Sequence, residues 1–200
     1  MTELQDVRFY GRGAFKSFSN FYGSIFTLVG GKSTGGSNII WHDGLECISA
    51  EHIYQATKFT ISAPDIAEAI WKCNYGAIVY SLGHASSTYG INANKQISAE
   101  EKKYYLELLR RSKKIGPPAD WNQARVPIMK RILHCKFRQC LDLKRLLLST
   151  AGRKIIEASP RDSFWGEGPY KNGQNVLGTL LVQVREEILA EEAQLWYYLF

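Results

Sequence analysis

The chain has 200 residues, 45% of them hydrophobic and 22% charged, with a formal net charge of +6. That is enough apolar side chain for one full core, and it excludes a long disordered tail or a collagen-like repeat. No apolar run reaches the roughly 18–20 residues that a membrane span requires, and acids precede any basic residue in Met1–Asp6, so a secretory leader is not expected. The sequence predicts a soluble intracellular protein, cytoplasmic with nuclear access open, and a monomer by default.

The first 48 residues hold short aromatic or β-branched runs between glycine clusters: Val7–Tyr10, Phe18–Tyr22, Ser24–Val29 and Asn38–Trp41. These predict short strands or loops. Gly30–Gly36 contains a Gly-Lys-Ser triplet, but Phe26 stands where a phosphate loop needs its first glycine, so a hairpin loop is expected instead. From Ser49 onward the apolar period becomes helical, with helices predicted over 50–60, 64–73, 75–83, 99–113, 121–135, 138–149 and 176–198. Ser49 and Ser98 are placed as N-caps, each with acids in the turn that follows. The expected class is α+β, predominantly helical, a single domain over 1–200 with a few short N-terminal strands.

Charge is unevenly placed. Residues 101–154 carry 15 Lys or Arg against 4 Asp or Glu, a surplus of +11, which leaves −5 for the remainder. Such a stretch attracts phosphates, or it forms the solvated faces of amphipathic helices. Four cysteines, Cys47, Cys73, Cys135 and Cys140, are too scattered for a disulfide framework and read as reduced thiols. His134 with Cys135 and Cys140 lacks the partner pair that a tetrahedral zinc site needs, so no metal is expected.

Three segments can carry chemistry. On a helix over 50–60, Glu51, Tyr54, Gln55 and Lys58 fall on one stripe, bringing a carboxylate, a phenol, an amide and an amine toward the same space. The alternative is a solvated face with Glu51 favouring a helix N-terminus. In Asp162-Ser-Phe-Trp165-Gly166-Glu-Gly168, a carboxylate, a flat indole and two close-approach glycines suit a nucleobase, or equally a turn anchored by Trp165. Asn20, beside Phe21, and Asn175, ahead of the last helix, are each able to hold a ribose hydroxyl or to satisfy a turn. No nucleophile elbow and no metal-spaced histidine pair occurs.

These segments together resemble the NADAR (YbiA-like) family. The match runs in order through Phe18–Phe21, Ser49–Phe59, Leu82-Gly83, Trp121, Lys136-Phe137 with Gln139, Thr150, Glu157, Asp162 with Trp165-Gly166 and Gly168, Asn175 with Leu177-Gly178, and Arg185. It covers about 8–189 and leaves 190–200 as a C-terminal extension. The resemblance implies hydrolysis of a ribose C1–N bond; that chemistry needs no redox carrier or metal, so no cofactor is expected. The expected substrate is ADP-ribose on guanine in DNA or nucleotides, with a phosphoribosylated pyrimidine of riboflavin synthesis as the alternative. Glu51, Lys58 and Asp162 are the catalytic candidates. Asn20, Phe21, Tyr54, Gln55, Trp121, Trp165, Gly166, Gly168 and Asn175 are the substrate-binding ones. A module that binds ADP-ribose or nucleic acid without cutting it is the competing class.

Overall fold

The computed structural model describes residues 5–29, 44 and 46–199, apart from the side chains at 196, 198 and 199. The expected strand over Asn38–Trp41, the Gly30–Gly36 loop and His42 lie outside the described residues. The architecture is α+β and mainly helical, in the order β1 (Val7–Phe9), β2 (Phe26–Thr27), β3 (Glu46–Cys47), α1 (Ala50–Thr57), α2 (Pro64–Lys72), α3 (Gly76–His84), α4 (Tyr89–Asn92), α5 (Ala99–Ile115), α6 (Trp121–Gln139), α7 (Leu141–Leu148), β4 (Ile155–Glu157) and α8 (Val176–Leu199). The fold clusters into two compact units, one of residues 27–129 and one of 1–26 with 130–200.

The 27–129 unit is built on α1, α2, α3 and α5. Its core joins Phe59, Ile66, Ile70, Ile78, Val79, Leu82, Ile91, Leu108 and Leu109, all nearly inaccessible to water. Pro64 begins α2, where its missing N–H costs nothing. Ser98 and Glu101 close a reciprocal capping box at the start of α5, satisfying two otherwise orphaned N–H groups. Helix α4 is a single turn that the apolar period misses, because four residues are too few to establish one.

In the second unit β1 and β4 pair in parallel, Val7 opposite Ile155 and Phe9 opposite Glu157. Leu177, Leu180, Leu181, Val184 and Ile188 form the buried stripe of α8 at helical spacing. Phe18 packs edge-on against both Phe9 and Phe137, with ring centroids 5.8 and 5.7 Å apart. Arg185, 3% exposed, donates through Nη1 to Thr150 O, Thr150 Oγ1 and Arg153 O, closing the C-terminal end of α7.

The structure decides one alternative and corrects two expectations. Of strand or loop, residues 18–22 take the loop: Lys16–Phe18 is a 3-10 turn, followed by backbone reversals. The run over 24–29 shortens to β2. The strands are not confined to the N-terminal part, since β4 lies at 155–157 and pairs with β1 across 148 residues of chain.

Candidate active site

Helix α1 begins where Ser49, extended at φ −158°, ψ 162°, turns its hydroxyl to the His52 N–H. The same hydroxyl lies 2.7 Å from His52 Nδ1, and His52 Nε2 lies 2.7 Å from Cys73 O. A carbonyl only accepts, so Nε2 carries the proton and Nδ1 accepts from Ser49. Burial also holds the His52 pKa below its ordinary value, in keeping with a neutral ring. His52 therefore ties the start of α1 to the end of α2.

All eight residues of α1 are buried, so the solvated-face alternative fails. Glu51, 6% exposed, accepts a 2.7 Å hydrogen bond from Gln55 Nε2 one turn along. Tyr54 packs against Trp121 at the start of α6, with ring centroids 5.1 Å apart. Lys58 at the helix C-cap is 6% exposed. Its Nζ donates to Gly83 O at 2.9 Å and sits 5.4 Å from the centroids of both the Tyr54 and Trp121 rings. Burial lowers its pKa to about 8; the Glu51 carboxylate opposes that shift and the Arg125 guanidinium adds to it.

Gly83 allows α3 to approach. A methyl group there would lie 2.1 Å from Gln55 Oε1 and 2.6 Å from Gln55 Cβ, so even alanine would displace the side chain that orients Glu51. The structure thus brings Glu51, Tyr54, Gln55, Lys58 and Trp121 together in the 27–129 unit. It adds two residues without a role in the sequence reading. Arg125 lies one turn after Trp121, a spacing that would have revealed it. His84 Nδ1, 3.3 Å from Gln55 Nε2, had no local signal.

The other sequence candidates lie in the second unit. Asp162 Oδ1 accepts from the Phe164 and Trp165 N–H groups at 2.9 and 2.8 Å, an Asx turn that shapes the loop. The Phe164 and Trp165 rings meet edge-on at 5.0 Å. Gly166 and Gly168 are buried, and a methyl on either would strike Glu157 O or Ser163 Oγ, so their close approach is to the protein's own loop. Asn175, with φ +50°, clasps β4: Oδ1 accepts from Glu157 N at 2.9 Å and Nδ2 donates to Ile155 O at 2.8 Å.

Asn20 is buried, and its Oδ1 has no donor. Phe21 beside it is 47% exposed. Below this turn Lys136, fully buried on α6, donates to Ser17 O and Ser19 O, both at 3.0 Å. Burial pulls its pKa down to about 7, against a smaller upward pull from Cys140.

The basic stretch is largely engaged within the fold. Lys130 pairs with Glu187, Arg138 with Glu191 and Lys144 with Glu192, all from α8, and Arg111 pairs with Asp65. Lys103, Lys113 and Lys114 remain exposed on α5. Cys135 is buried inside α6, and Cys140 caps α7 with Sγ 3.4 Å from Ile25 O. Among the described residues no helix is long and apolar enough to cross a membrane.

The family model of the NADAR domain matches residues 8–189. The chloroplastic riboflavin biosynthesis protein PYRR of Zea mays is 36% identical over 142 residues, 70% of this chain and 20% of that protein. N-glycosidase YbiA of Escherichia coli (strain K12) is 37% identical over 73 residues, 36% of this chain and 46% of that protein. The chain thus spans less than half the length of either. An N-glycosidase of Nostoc punctiforme is 34% identical over 140 residues, 70% of this chain and 73% of that protein. The NMR structure of the E. coli protein YbiA superposes with a TM-score of 0.66 over 95% of this chain and 89% of that one; at 23% identity it establishes a common fold. A domain match that spans both units, together with that shared fold, shows that the chain belongs to the NADAR family.

Proposed function

We propose that this protein is an N-glycoside hydrolase that cleaves the bond between ribose C1 and a nucleobase nitrogen. The observation that carries the reading is a buried carboxylate and a buried amine on one helix, Glu51 and Lys58, with the amine beside the packed Tyr54 and Trp121 rings. Breaking a C1–N bond develops positive charge at C1 and negative charge on the departing base. Glu51, kept in orientation by Gln55, stabilises the first or activates water toward it.

Lys58 adds a nucleophile. With a pKa of about 8, roughly a tenth of it is neutral at pH 7. Its nitrogen lone pair attacks C1 and the C1–N bond breaks, its electron pair leaving with the base, which takes up a proton. Loss of the remaining proton from Nζ and opening of the ribose ring give an imine, which water hydrolyses to free sugar and free amine. Asp162 is assigned to orient the ribose or to protonate the base. Trp165, Asn20, Phe21, Gly166, Gly168 and Asn175 are assigned to substrate binding.

Guanine-linked ADP-ribose, in DNA or as a nucleotide, is placed first, because Lys103, Lys113 and Lys114 keep a basic surface suited to a pyrophosphate or a nucleic-acid backbone. The likeness to the maize riboflavin biosynthesis protein supports a second reading, a phosphoribosylated pyrimidine. Incubation with both substrates decides between them. Release of the free base, strongly reduced by Glu51→Gln, is expected. Binding without release would instead favour a module that holds the ligand uncut. Borohydride is expected to trap a protein–sugar adduct that Lys58→Ala lacks, and single-turnover cleavage unaffected by that substitution would rule out the imine.

A further inference from the structure

Lys136 is among the most completely buried long side chains of the protein, and no step of the proposed chemistry uses it. A lysine in that position is expensive to keep unless its donors are occupied. Two of them are, by the carbonyls of Ser17 and Ser19, and the ammonium also lies 5.9 Å from the Tyr22 ring centroid and 5.4 Å from that of Phe137. The two hydrogen bonds reach across 117 to 119 residues of chain, and together with the Tyr22 contact they flank Asn20 and Phe21.

That segment carries two features of a ligand-facing element. Asn20 keeps a buried carboxamide oxygen without a donor, which is uncommon in a folded protein, where buried polar atoms are nearly always paired. The adjoining Phe21 ring is 47% exposed, although an aromatic ring of that size is ordinarily buried. A sugar hydroxyl would supply the donor Asn20 lacks, and a nucleobase or sugar face would cover Phe21. The 3-10 turn over Lys16–Phe18 has no side-chain hydrogen bond at its N-cap, and Lys136 adds two side-chain hydrogen bonds to the segment's own backbone bonds and to the packing of Phe18.

We propose that Lys136 is a positioning residue for substrate binding: from beneath, it holds the Ser17–Tyr22 segment in the conformation that offers Asn20 and Phe21 to the ribosyl substrate. This rests on the assignment of those two residues to substrate binding. Lys136 itself touches no reacting atom, and its effect passes through the two carbonyls it binds.

The test measures wild type, K136M, N20A and the K136M/N20A double variant in the full chain, with guanine-linked ADP-ribose and the phosphoribosylated pyrimidine as substrates. Loss of two charge-assisted hydrogen bonds should raise KM about tenfold in K136M while kcat stays within about twofold. In the N20A background the same substitution should raise KM by clearly less than in wild type, because part of its effect passes through Asn20. K136R, which retains a cation on α6, should recover part of the loss. An unchanged KM in folded K136M, or effects of K136M and N20A that multiply, would overturn the proposal. Should K136M fail to fold, K136R decides: an intermediate KM supports the role, and a wild-type KM opposes it. If wild type cuts neither substrate, the reaction assigned above fails. The positioning role is then decided by amide exchange over residues 17–22 and by affinity for free ADP-ribose. Faster exchange with weaker binding in K136M supports it, and no change in either refutes it.

Discussion

Replacing Lys58 by methionine, which keeps the length of the stem and removes the amine, gives a stability signature that follows from burial alone. In the folded protein Lys58 loses its proton near pH 8, against an ordinary value of 10.5 in the unfolded chain. Between those values the unfolded state binds more protons than the native one, so stability rises with pH through this window. Below about pH 8 both states carry the proton, and the full penalty of the buried charge is present. With these two values, wild type gains about 2–3 kcal/mol between pH 7 and pH 10 from this group. K58M lacks the gain. Urea unfolding of both proteins at pH 7, 8, 9 and 10 isolates it, because other titrating groups such as Lys136 cancel in the difference. The expected outcome is a gap between K58M and wild type that shifts in favour of wild type by about 2–3 kcal/mol across the range. Parallel pH profiles would refute the claim that Lys58 is buried as a depressed amine, and with it the nucleophile reading.

Gly83→Ala should destabilise by about 1–3 kcal/mol, measured by urea unfolding, and should lower activity more than stability implies, because the new methyl group displaces Gln55 from Glu51. Asp162→Ala should cost about 1–2 kcal/mol through loss of the turn that caps Phe164 and Trp165. Asp162→Asn keeps Oδ1 and should restore the melting temperature while leaving base release about a hundredfold down; full activity in that variant would make Asp162 only a post of the loop. Arg185→Met should destabilise by about 3 kcal/mol, since it removes the donors on Thr150 and on Arg153 O, and calorimetry would show it as a lowered transition with unchanged kcat. In pH–rate profiles, nucleophilic attack by Lys58 predicts kcat/KM rising with an apparent pKa of about 8. Glu51→Gln should move the residual rise to lower pH, because the carboxylate is what opposes the depression.

The helices were legible because each repeats its apolar residues at helical spacing over several turns, as the buried stripe from Leu177 to Ile188 does in α8. Capping was legible at Ser98 and Ser49 because an N-cap is a contact within three residues. The strands were not. β4 is three residues long and exists because β1 lies beside it, a pairing across most of the chain that no local window contains.

The same division holds for the candidate site. The order of residue types along α1 fixed that Glu51, Gln55 and Lys58 would share a helical neighbourhood, since 3.6 residues per turn is a property of the backbone alone. Whether that neighbourhood was solvent or protein interior was decided by distant segments, among them the end of α2, Gly83 of α3 and Trp121, which meet α1 and turn a surface-type charge pair into a depressed amine beside a buried carboxylate. The basic surplus of 101–154 was likewise plain in the sequence, but α8 settled much of its meaning by presenting Glu187, Glu191 and Glu192 to Lys130, Arg138 and Lys144. Side-chain identity and spacing set which groups are available. The dielectric around them and the partners they meet come from distant segments, and so only the folded chain determines them.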